Sequence, residues 1–366
     1  MGIKERVELY NKIEGHRKRP LISYVTSKRD GIQADMASDV LPYLIEQLDS
    51  LPKNTTELDF LIVSYGGDPM VAWRIMSLIR ERVDRVSVLI PQSAYSAATL
   101  VALGGDDIVM HPNGHLGPVD MQIRTAGSHI LFSTEDITAF VNFVREDLSI
   151  TDQEHLRTLF EATCREVGTL GVGFTARSQK LALDLARRLL SLPGEDDDNP
   201  ASKTIVENLS RQFHSHSYPV SRKEAISMGL PVVKDRDGIL EGLMWDLWLD
   251  IEADLDERNP FNPIAILLNS SEADKLLAPV PQLDLPSNAP GPSYFQANMS
   301  EIVKAIKDAK SMIEPVDFEI RDAIIESARL SFHGLRRGKI LASREPNLNL
   351  QYNVLVTYRG WEKIHQ

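Results

Sequence analysis

The stretch SYGGDP, residues 64–69, decides the fold of this chain, because two glycines there separate a strand-like run from a helical one. The preceding run, Leu58 to Val63, is almost continuously apolar, which is typical of a strand buried on both faces. Asp68 can cap a helix and Pro69 suits its first position, so a helix is predicted to begin there. The stretch therefore predicts a strand, a glycine turn and a helix.

A second unit of the same kind follows in the segment SAYSAA, residues 93–98. It comes after the apolar run Val86 to Ile90, and Ser96 stands where a short helix is predicted to start. Such alternation of strands and helices predicts an α/β fold with parallel strands and right-handed crossovers. Ligand sites form at the carboxyl ends of parallel strands, so Gly67 and Ser96 are expected to lie close together.

Composition narrows the class of protein. The chain has 366 residues, of which 43% are hydrophobic, and a formal net charge of −12. The negative charge argues against a general binder of nucleic acid or of membrane surfaces. The single cysteine, Cys164, excludes an internal disulfide and suits a reducing compartment. Together with a charged start and no uninterrupted apolar span, this predicts a cytoplasmic protein without membrane insertion.

The length and the segment boundaries predict two parts. Residues 1–258 carry the strand–helix alternation and form the predicted core domain. Residues 259–366 form a C-terminal α+β extension of unknown role, with a linker rich in Pro, Ser and Asn near 280–293.

The chemistry that these loops favour is acyl transfer. Ser96 would be the nucleophile, and the backbone N–H groups of Gly67 and Ala97 would stabilise a tetrahedral oxyanion. The plainer interpretation is that Ser96 only caps a helix and that the glycines only form a turn. No cluster of His, Cys, Asp or Glu has metal-ligand spacing, and no phosphate-binding loop is present, so no metal and no cofactor are expected.

Four ordered motifs resemble those of the Clp-fold serine proteinases called serine dehydrogenase proteinases, which are relatives of SppA and ClpP in the ClpP/crotonase superfamily. The resemblance covers residues 20 to about 234. The motifs are the glycine loop at 64–67, the nucleophile helix at 94–104, the LGPVDMQ signature at 116–122, and the His-bearing segment at 214–220 with the Glu224-Ala225 and Gly229-Leu230 pairs after it.

The resemblance implies a ClpP/crotonase-like ββα superhelix with parallel strands. It implies a serine peptidase that forms an acyl-enzyme on Ser96, with Gly67 and Ala97 as the oxyanion-hole donors. A peptide or protein substrate and a homo-oligomer are also expected from it.

The general base is left open between several groups. His216 is the first choice, with Asp120 as a partner in a Ser–His–Asp arrangement. His115, on a glycine-rich turn, is an alternative base. Lys180 is the main lysine alternative, by analogy with SppA-type dyads.

Two other interpretations compete with the peptidase. A catalytically weak or inactive binding or scaffold protein of the same fold is favoured by two departures from the family pattern. Arg145 stands near the place of an SppA-like lysine and stays protonated, and Met121 replaces a usual proline. A crotonase-type acyl-CoA enzyme would need an acid/base carboxylate pair, and none is evident.

Overall fold

The computed structural model of the chain has a mixed α/β fold built around one large sheet. It describes residues 3–119, 123–124, 131–132, 134–194, 199–211, 218–235, 237–277, 299–300, 303, 311–345 and 349–364. The predicted linker near 280–293 lies outside these residues.

The described strands fall into three sheets. The strands of the large sheet are β1 (Leu21–Thr26), β2 (Glu57–Val63), β3 (Arg85–Ile90), β5 (Asp107–Met110), β10 (Val232–Val233), β11 (Ser311–Met312), β12 (Val316–Ser327), β13 (Ser331–Arg344) and β14 (Leu350–Ile364). A small sheet contains β4 (Ser93–Ala94), β6 (His115–Leu116) and β9 (Val220–Ser221). A short hairpin pairs β7 (Ile123–Arg124) with β8 (Leu131–Phe132).

The described helices connect and cover these strands. They are α1 (Ile3–Arg17), α2 (Leu41–Asp49), α3 (Pro69–Arg80), α4 (Ala97–Leu103), α5 (Thr134–Asn142), α6 (Gln153–Val167), α7 (Thr169–Ser191), α8 (Pro200–Arg211), α9 (Arg222–Ser227), α10 (Ile239–Asp254), α11 (Pro263–Leu268) and α12 (Ala273–Leu277). A 3-10 turn, Ser38–Val40, precedes α2, and a π-helical turn, Phe143–Asp147, follows α5.

The large sheet has a parallel half and an antiparallel half. Its order runs β10-β5-β3-β2-β1-β12-β13, with β11 and β14 also paired to β13. Strands β10, β5, β3, β2 and β1 are parallel, whereas β12, β13 and β14 pair in antiparallel fashion. The predicted α/β fold with parallel strands is therefore confirmed.

Both faces of the parallel half are buried, which explains the continuous apolar runs. On β2, Phe60 and Ile62 face a core built with α2, α3, α4, α7 and α8. Their neighbours Leu61 and Val63 face a second core built with α1 and α10. The helices on each face hold the strand ends in fixed positions, so the loops that follow the strands have a rigid base.

The C-terminal strands extend the sheet instead of forming a separate layer. Strand β12 pairs with β1, with Ile22 opposite Ser327. A buried ion-pair cluster also joins the chain ends, because Arg6 contacts Glu326 at 3.2 Å and also contacts Asp250. A buried pair is costly to break, since the remaining charge would be unpaired. The division into 1–258 and 259–366 stays a prediction, and the two parts share this sheet.

Candidate active site

Ser64 fastens the glycine loop to the segment that leads into α4. Its N–H donates to the carbonyl of Ser93 at 2.9 Å, and its own carbonyl accepts from the N–H of Tyr95 at 3.0 Å. Its hydroxyl accepts from Thr26 Oγ1 at 2.7 Å and from the N–H of Gly66 at 3.1 Å. These bonds bring the carboxyl ends of β1, β2 and β3 to one edge, as the parallel strands predicted.

Ser96 has a strained backbone at the start of α4. Its φ is 51° and its ψ is −116°, a conformation that a residue with a Cβ rarely adopts. Such strain costs on the order of 1–3 kcal/mol and is concentrated at functional sites. A nucleophilic serine on a sharp strand-to-helix turn has this character.

The hydroxyl of Ser96 does not cap α4. The residue occupies the N-cap position, but its side chain makes no capping hydrogen bond. Within the ranges that the structure describes, the hydroxyl also has no other hydrogen-bond partner. The plainer interpretation of Ser96 as a simple helix cap therefore lacks the bond that it requires.

The two glycines allow the loop to lie directly against α4. Both have positive φ, 105° at Gly66 and 145° at Gly67. A Cβ at Gly66 would lie 2.8 Å from the Cβ of Ser96 and 3.0 Å from the nitrogen of Ala97. A Cβ at Gly67 would lie 2.4 Å from both the nitrogen and the oxygen of Met36. Only glycine fits this close approach of three backbone segments.

Two backbone N–H groups beside the serine have no acceptor among the residues that the structure describes. Met36 donates to the carbonyl of Gly66 at 2.7 Å and accepts from the N–H of Asp68 at 3.0 Å, and this pairing does not use the N–H of Gly67. Neither Gly67 nor Ala97 donates a backbone hydrogen bond to any described group. Ala97 is also in the first turn of α4, where N–H groups have no partner within the helix.

His115 is the candidate base whose environment is described. It lies on β6 beside β4, opposite Ser93, and β9 places Ser221 on its other side. Burial lowers the pKa of its imidazole, and the negative charge of Glu224 opposes this shift. A lowered pKa keeps the ring neutral at neutral pH, as a general base must be. No hydrogen bond joins it to Ser96.

Of the other predicted base residues, Lys180 is within the described part of the chain, whereas His216 and Asp120 are not. Lys180 is on the exposed face of α7, while Ala182 and Leu185 on the same helix are buried. An exposed ammonium lacks the desolvation that makes a lysine a neutral base. His216 and Asp120 lie outside the described residues, so the predicted Ser–His–Asp arrangement has no described geometry.

Several neighbours of the site were not found from the sequence. The rings of Tyr65 and Tyr95, which follow Ser64 and precede Ser96, lie 5.4 Å apart. The ammonium of Lys28 lies 5.7 Å from the centroid of the Tyr65 ring. Burial lowers the pKa of Lys28, and the negative charges of Glu257 and Glu252 oppose this shift. Lys28 follows β1, but lysines after strands are common, so the sequence alone did not indicate that Lys28 lies near the site.

A group of possible metal ligands lies elsewhere, at the end of α1. His16, Asp235 and Asp237 place their ligand atoms within 4.8 Å of one another. The sequence did not indicate this group, because His16 is far from Asp235 and Asp237 in the chain. Two of the three side chains are exposed, and such groups are common without an ion, so no metal role is assigned to them.

None of the described helices combines the length and the apolar character that crossing a bilayer requires.

Comparison with known proteins gives the following matches. Residues 43–136 match a family model described as ClpP-like SDH-type serine proteinase. An uncharacterized protein of Methanocaldococcus jannaschii is 32% identical over 190 residues, which are 52% of this chain and 57% of the relative. Another uncharacterized protein of the same organism is 36% identical over 66 residues, 18% of this chain and 23% of the relative. The matches thus span a little more than half the length of one relative and less than a quarter of the other.

A solved structure was also found, a mutant of a membrane-bound stomatin-specific protease. It is 15% identical and covers 60% of this chain and 81% of its own, with a TM-score of 0.34. This likeness is too low to support any argument about the chain. The family match is independent of it and includes the glycine loop, α4 and the whole LGPVDMQ signature. The expected resemblance is thus confirmed: residues 43–136 match the family of ClpP-like SDH-type serine proteinases, and the chain has an α/β fold.

Proposed function

We propose that the chain is a serine endopeptidase that cleaves peptide or protein substrates through an acyl-enzyme on Ser96. The single observation that carries this proposal is the strained Ser96, which lies against the glycine loop and whose hydroxyl has no partner among the described residues. A serine held only for packing has no need of a positive φ.

The proposed reaction uses the groups of the site in sequence. The Ser96 oxygen attacks the scissile carbonyl while a base removes its proton. The N–H groups of Gly67 and Ala97 donate to the oxyanion that forms, and one such donor contributes about 3 kcal/mol to lowering the barrier. The base then protonates the leaving amine, and water hydrolyses the acyl-enzyme by the same steps.

The base is proposed from the predicted set. His115 is supported by its lowered pKa and its place on the strand beside β4. His216 with Asp120 remains the alternative pair. Lys180 is the weakest candidate because it is exposed.

The test is labelling with a fluorophosphonate probe, because only an activated serine reacts with it. We expect one label, located at Ser96 by mass spectrometry of the digested protein. A folded protein that takes up no label would support the second candidate function, a binding or scaffold protein of the same fold. That alternative is favoured by the lack of a hydrogen bond from Ser96 to a described base. An acyl-CoA enzyme would instead show binding of acyl-CoA in a calorimetric titration.

We also propose that the chain forms a homo-oligomer through the edge strand β14. This strand has 15 residues and, among the described strands, pairs only with β13. Leu355 and Val356 are about half exposed. A long, exposed apolar edge is a template for pairing with another strand.

The charge pattern of β14 favours a second copy as the partner. Residues 350–358 carry no charge, and Arg359 follows them. Antiparallel pairing of two copies sets the uncharged runs against each other and keeps the two Arg359 side chains apart. Parallel pairing in register would place them side by side, which is unfavourable.

Lysines in the middle of this edge should prevent the pairing. With Leu355→Lys and Val356→Lys together, each copy brings two cations to the interface, so we expect the oligomer to dissociate into monomers. Sedimentation velocity at micromolar concentration measures this. The matched control is Leu341→Lys, at a similarly exposed position on the inner strand β13. A wild-type protein that sediments as a monomer would contradict the proposal.

A cytoplasmic location is proposed on the single cysteine alone, because a chain that uses no disulfide suits a reducing compartment.

A further inference from the structure

A polar cavity of about 460 Å³ lies between the loop after β1 and the C-terminal strands. Its size is within the range of ordinary ligand sites. The residues that matter here are Tyr24, Asp35, Asp39, Asp322, Arg359 and Trp361. None of them belongs to the motifs that indicated the site at Ser96.

The cavity is next to the glycine loop of the active site. Asp35 and Ala37 line it, and Met36 lies between them. Met36 pairs with Gly67 as one strand residue pairs with another. Neighbouring strands lie about 4.8 Å apart. The segment from Asp35 to Ala37 therefore forms a wall of the cavity on one side and lies beside Gly67, the proposed oxyanion donor. A substrate side chain bound at Gly67 would have to pass this segment to enter the cavity.

The cavity has an excess of negative charge. Of its three carboxylates, Asp322 is paired with Arg336, whereas Asp35 and Asp39 have no ion pair within the described part of the chain. Asp39 accepts a hydrogen bond from Trp361 Nε1 at 3.0 Å. Arg359 lines the cavity as well. The three carboxylates are thus opposed by two guanidinium groups, those of Arg359 and of Arg336, the partner of Asp322, which leaves one net negative charge.

Tyr24 supplies a buried polar group that lacks a partner. Its side chain is 1% exposed, and its hydroxyl makes no hydrogen bond to a described residue. Burial raises the pKa of this hydroxyl, and Asp39, Asp322 and Asp35 raise it further, so the group stays neutral. Because Tyr24 lines the cavity, its hydroxyl can accept a hydrogen bond from a ligand bound there.

Aromatic rings complete the wall of the cavity. Tyr43 and Trp361 both line it, and their ring centroids lie 5.4 Å apart. Aromatic faces attract an ammonium or guanidinium group. The cavity thus combines carboxylates, a hydroxyl acceptor and aromatic rings, and each of these groups interacts favourably with a cationic side chain.

We infer that this cavity binds a lysine or arginine side chain of the substrate, an inference that rests on the proposed peptidase function. The site would thus favour peptides with a basic residue at one fixed distance from the scissile bond. The carboxylates Asp35 and Asp39 would receive the cation, and the Tyr24 hydroxyl would accept one of its N–H groups.

The kinetic test uses peptides that differ at one position, which is Lys, Arg or Gln, scanned along both sides of the cleaved bond. At one position we expect kcat/KM for the Lys or Arg peptide to exceed that for the Gln peptide at least about tenfold, as is typical of hydrogen bonds to charged groups. Asp35→Asn with Asp39→Asn should bring this ratio close to one.

The matched control is Asp49→Asn with Asp84→Asn, which removes the same charge. Both residues are exposed and precede β2 and β3, at the opposite end of the parallel strands. This control should keep the wild-type ratio. Equal rates for Lys, Arg and Gln peptides at every position would overturn the inference, while labelling of Ser96 would still support the proposed function.

A binding measurement separates failure of the subsite from failure of catalysis. The protein with Ser96→Ala is titrated in a calorimeter with the best Lys peptide, or with a Lys tripeptide amide if no peptide is cleaved, and with its Gln counterpart. We expect the Lys peptide to bind at least about tenfold more tightly, and the added Asp35→Asn and Asp39→Asn changes to remove the difference. Equal affinities would overturn the inference even if the protein proves not to be a peptidase.

Discussion

Ser96→Ala should reduce kcat for peptide hydrolysis by a factor of about 10⁴ to 10⁶, the range seen when the nucleophile of a serine peptidase is removed. The change deletes the attacking oxygen and leaves the backbone donors of Gly67 and Ala97 in place. Residual hydrolysis above the uncatalysed rate would then come from these donors and from substrate binding. Binding of the substrate itself should change little. Steady-state hydrolysis of a peptide cleaved by the wild-type protein measures the effect.

The control for this prediction is Ser77→Ala, a change of the same atoms at a partly exposed position of α3. It should hydrolyse the peptide at the wild-type rate. If Ser96→Ala also keeps full activity, then the acyl-enzyme mechanism at this residue is wrong, whatever family the chain belongs to.

Gly67→Ala should lower kcat by a factor of about 10² to 10³, the cost of losing one oxyanion-hole donor. The new Cβ would lie 2.4 Å from the nitrogen and the oxygen of Met36, which are backbone atoms and cannot turn aside. The φ of 145° adds strain for any residue with a Cβ. The loop must therefore shift, and its N–H would no longer point to the oxyanion. The measured kcat for peptide hydrolysis and the rate at which the fluorophosphonate probe labels Ser96 should both decrease.

Gly229→Ala is the control for Gly67→Ala. It introduces a Cβ at a positive φ without displacing the glycine loop, so it measures the loss of stability that the positive φ alone causes. Gly229 has a φ of 88°, and a Cβ there would be 3.7 Å from the nearest side-chain atoms, those of Ile205. This change should destabilise the protein by about 1 kcal/mol and leave turnover near the wild-type value. If Gly67→Ala turned over as fast as Gly229→Ala, Gly67 would not be a donor.

The parallel half of the fold was predictable because its signals are local. Apolar runs such as Leu58 to Val63 are buried on both faces, and Asp68 does cap α3, accepting from the N–H of Met70 at 2.8 Å. Each strand also pairs with a neighbour that is close in the chain, so the alternation of strands and helices was sufficient to predict parallel pairing among β1, β2, β3 and β5.

The antiparallel half was not predictable in the same way. The sequence predicted an α+β extension after residue 258 without placing β12 and β13, which the structure forms there. Strand β12 is specified by pairing with β1, whose residues are about 300 positions away in the chain. Its buried polar residues, such as Glu326, disturb the alternation, and Glu326 is paired with Arg6, a distant partner, as well as with the nearby Ser331. Strand preference depends on such context more than helix preference does.

By itself, the sequence determined the parallel strands, the glycine loop and the serine at the start of α4, because each depends on residues adjacent in the chain. Only the tertiary structure decided that Ser96 is strained and uncapped, and that Asp35, Asp39 and Asp322 surround the hydroxyl of Tyr24. The backbone angles of Ser96 depend on how closely Gly66 approaches it, and the carboxylates meet only because β12 lies beside β1. Such contacts join distant segments, and no local pattern specifies them.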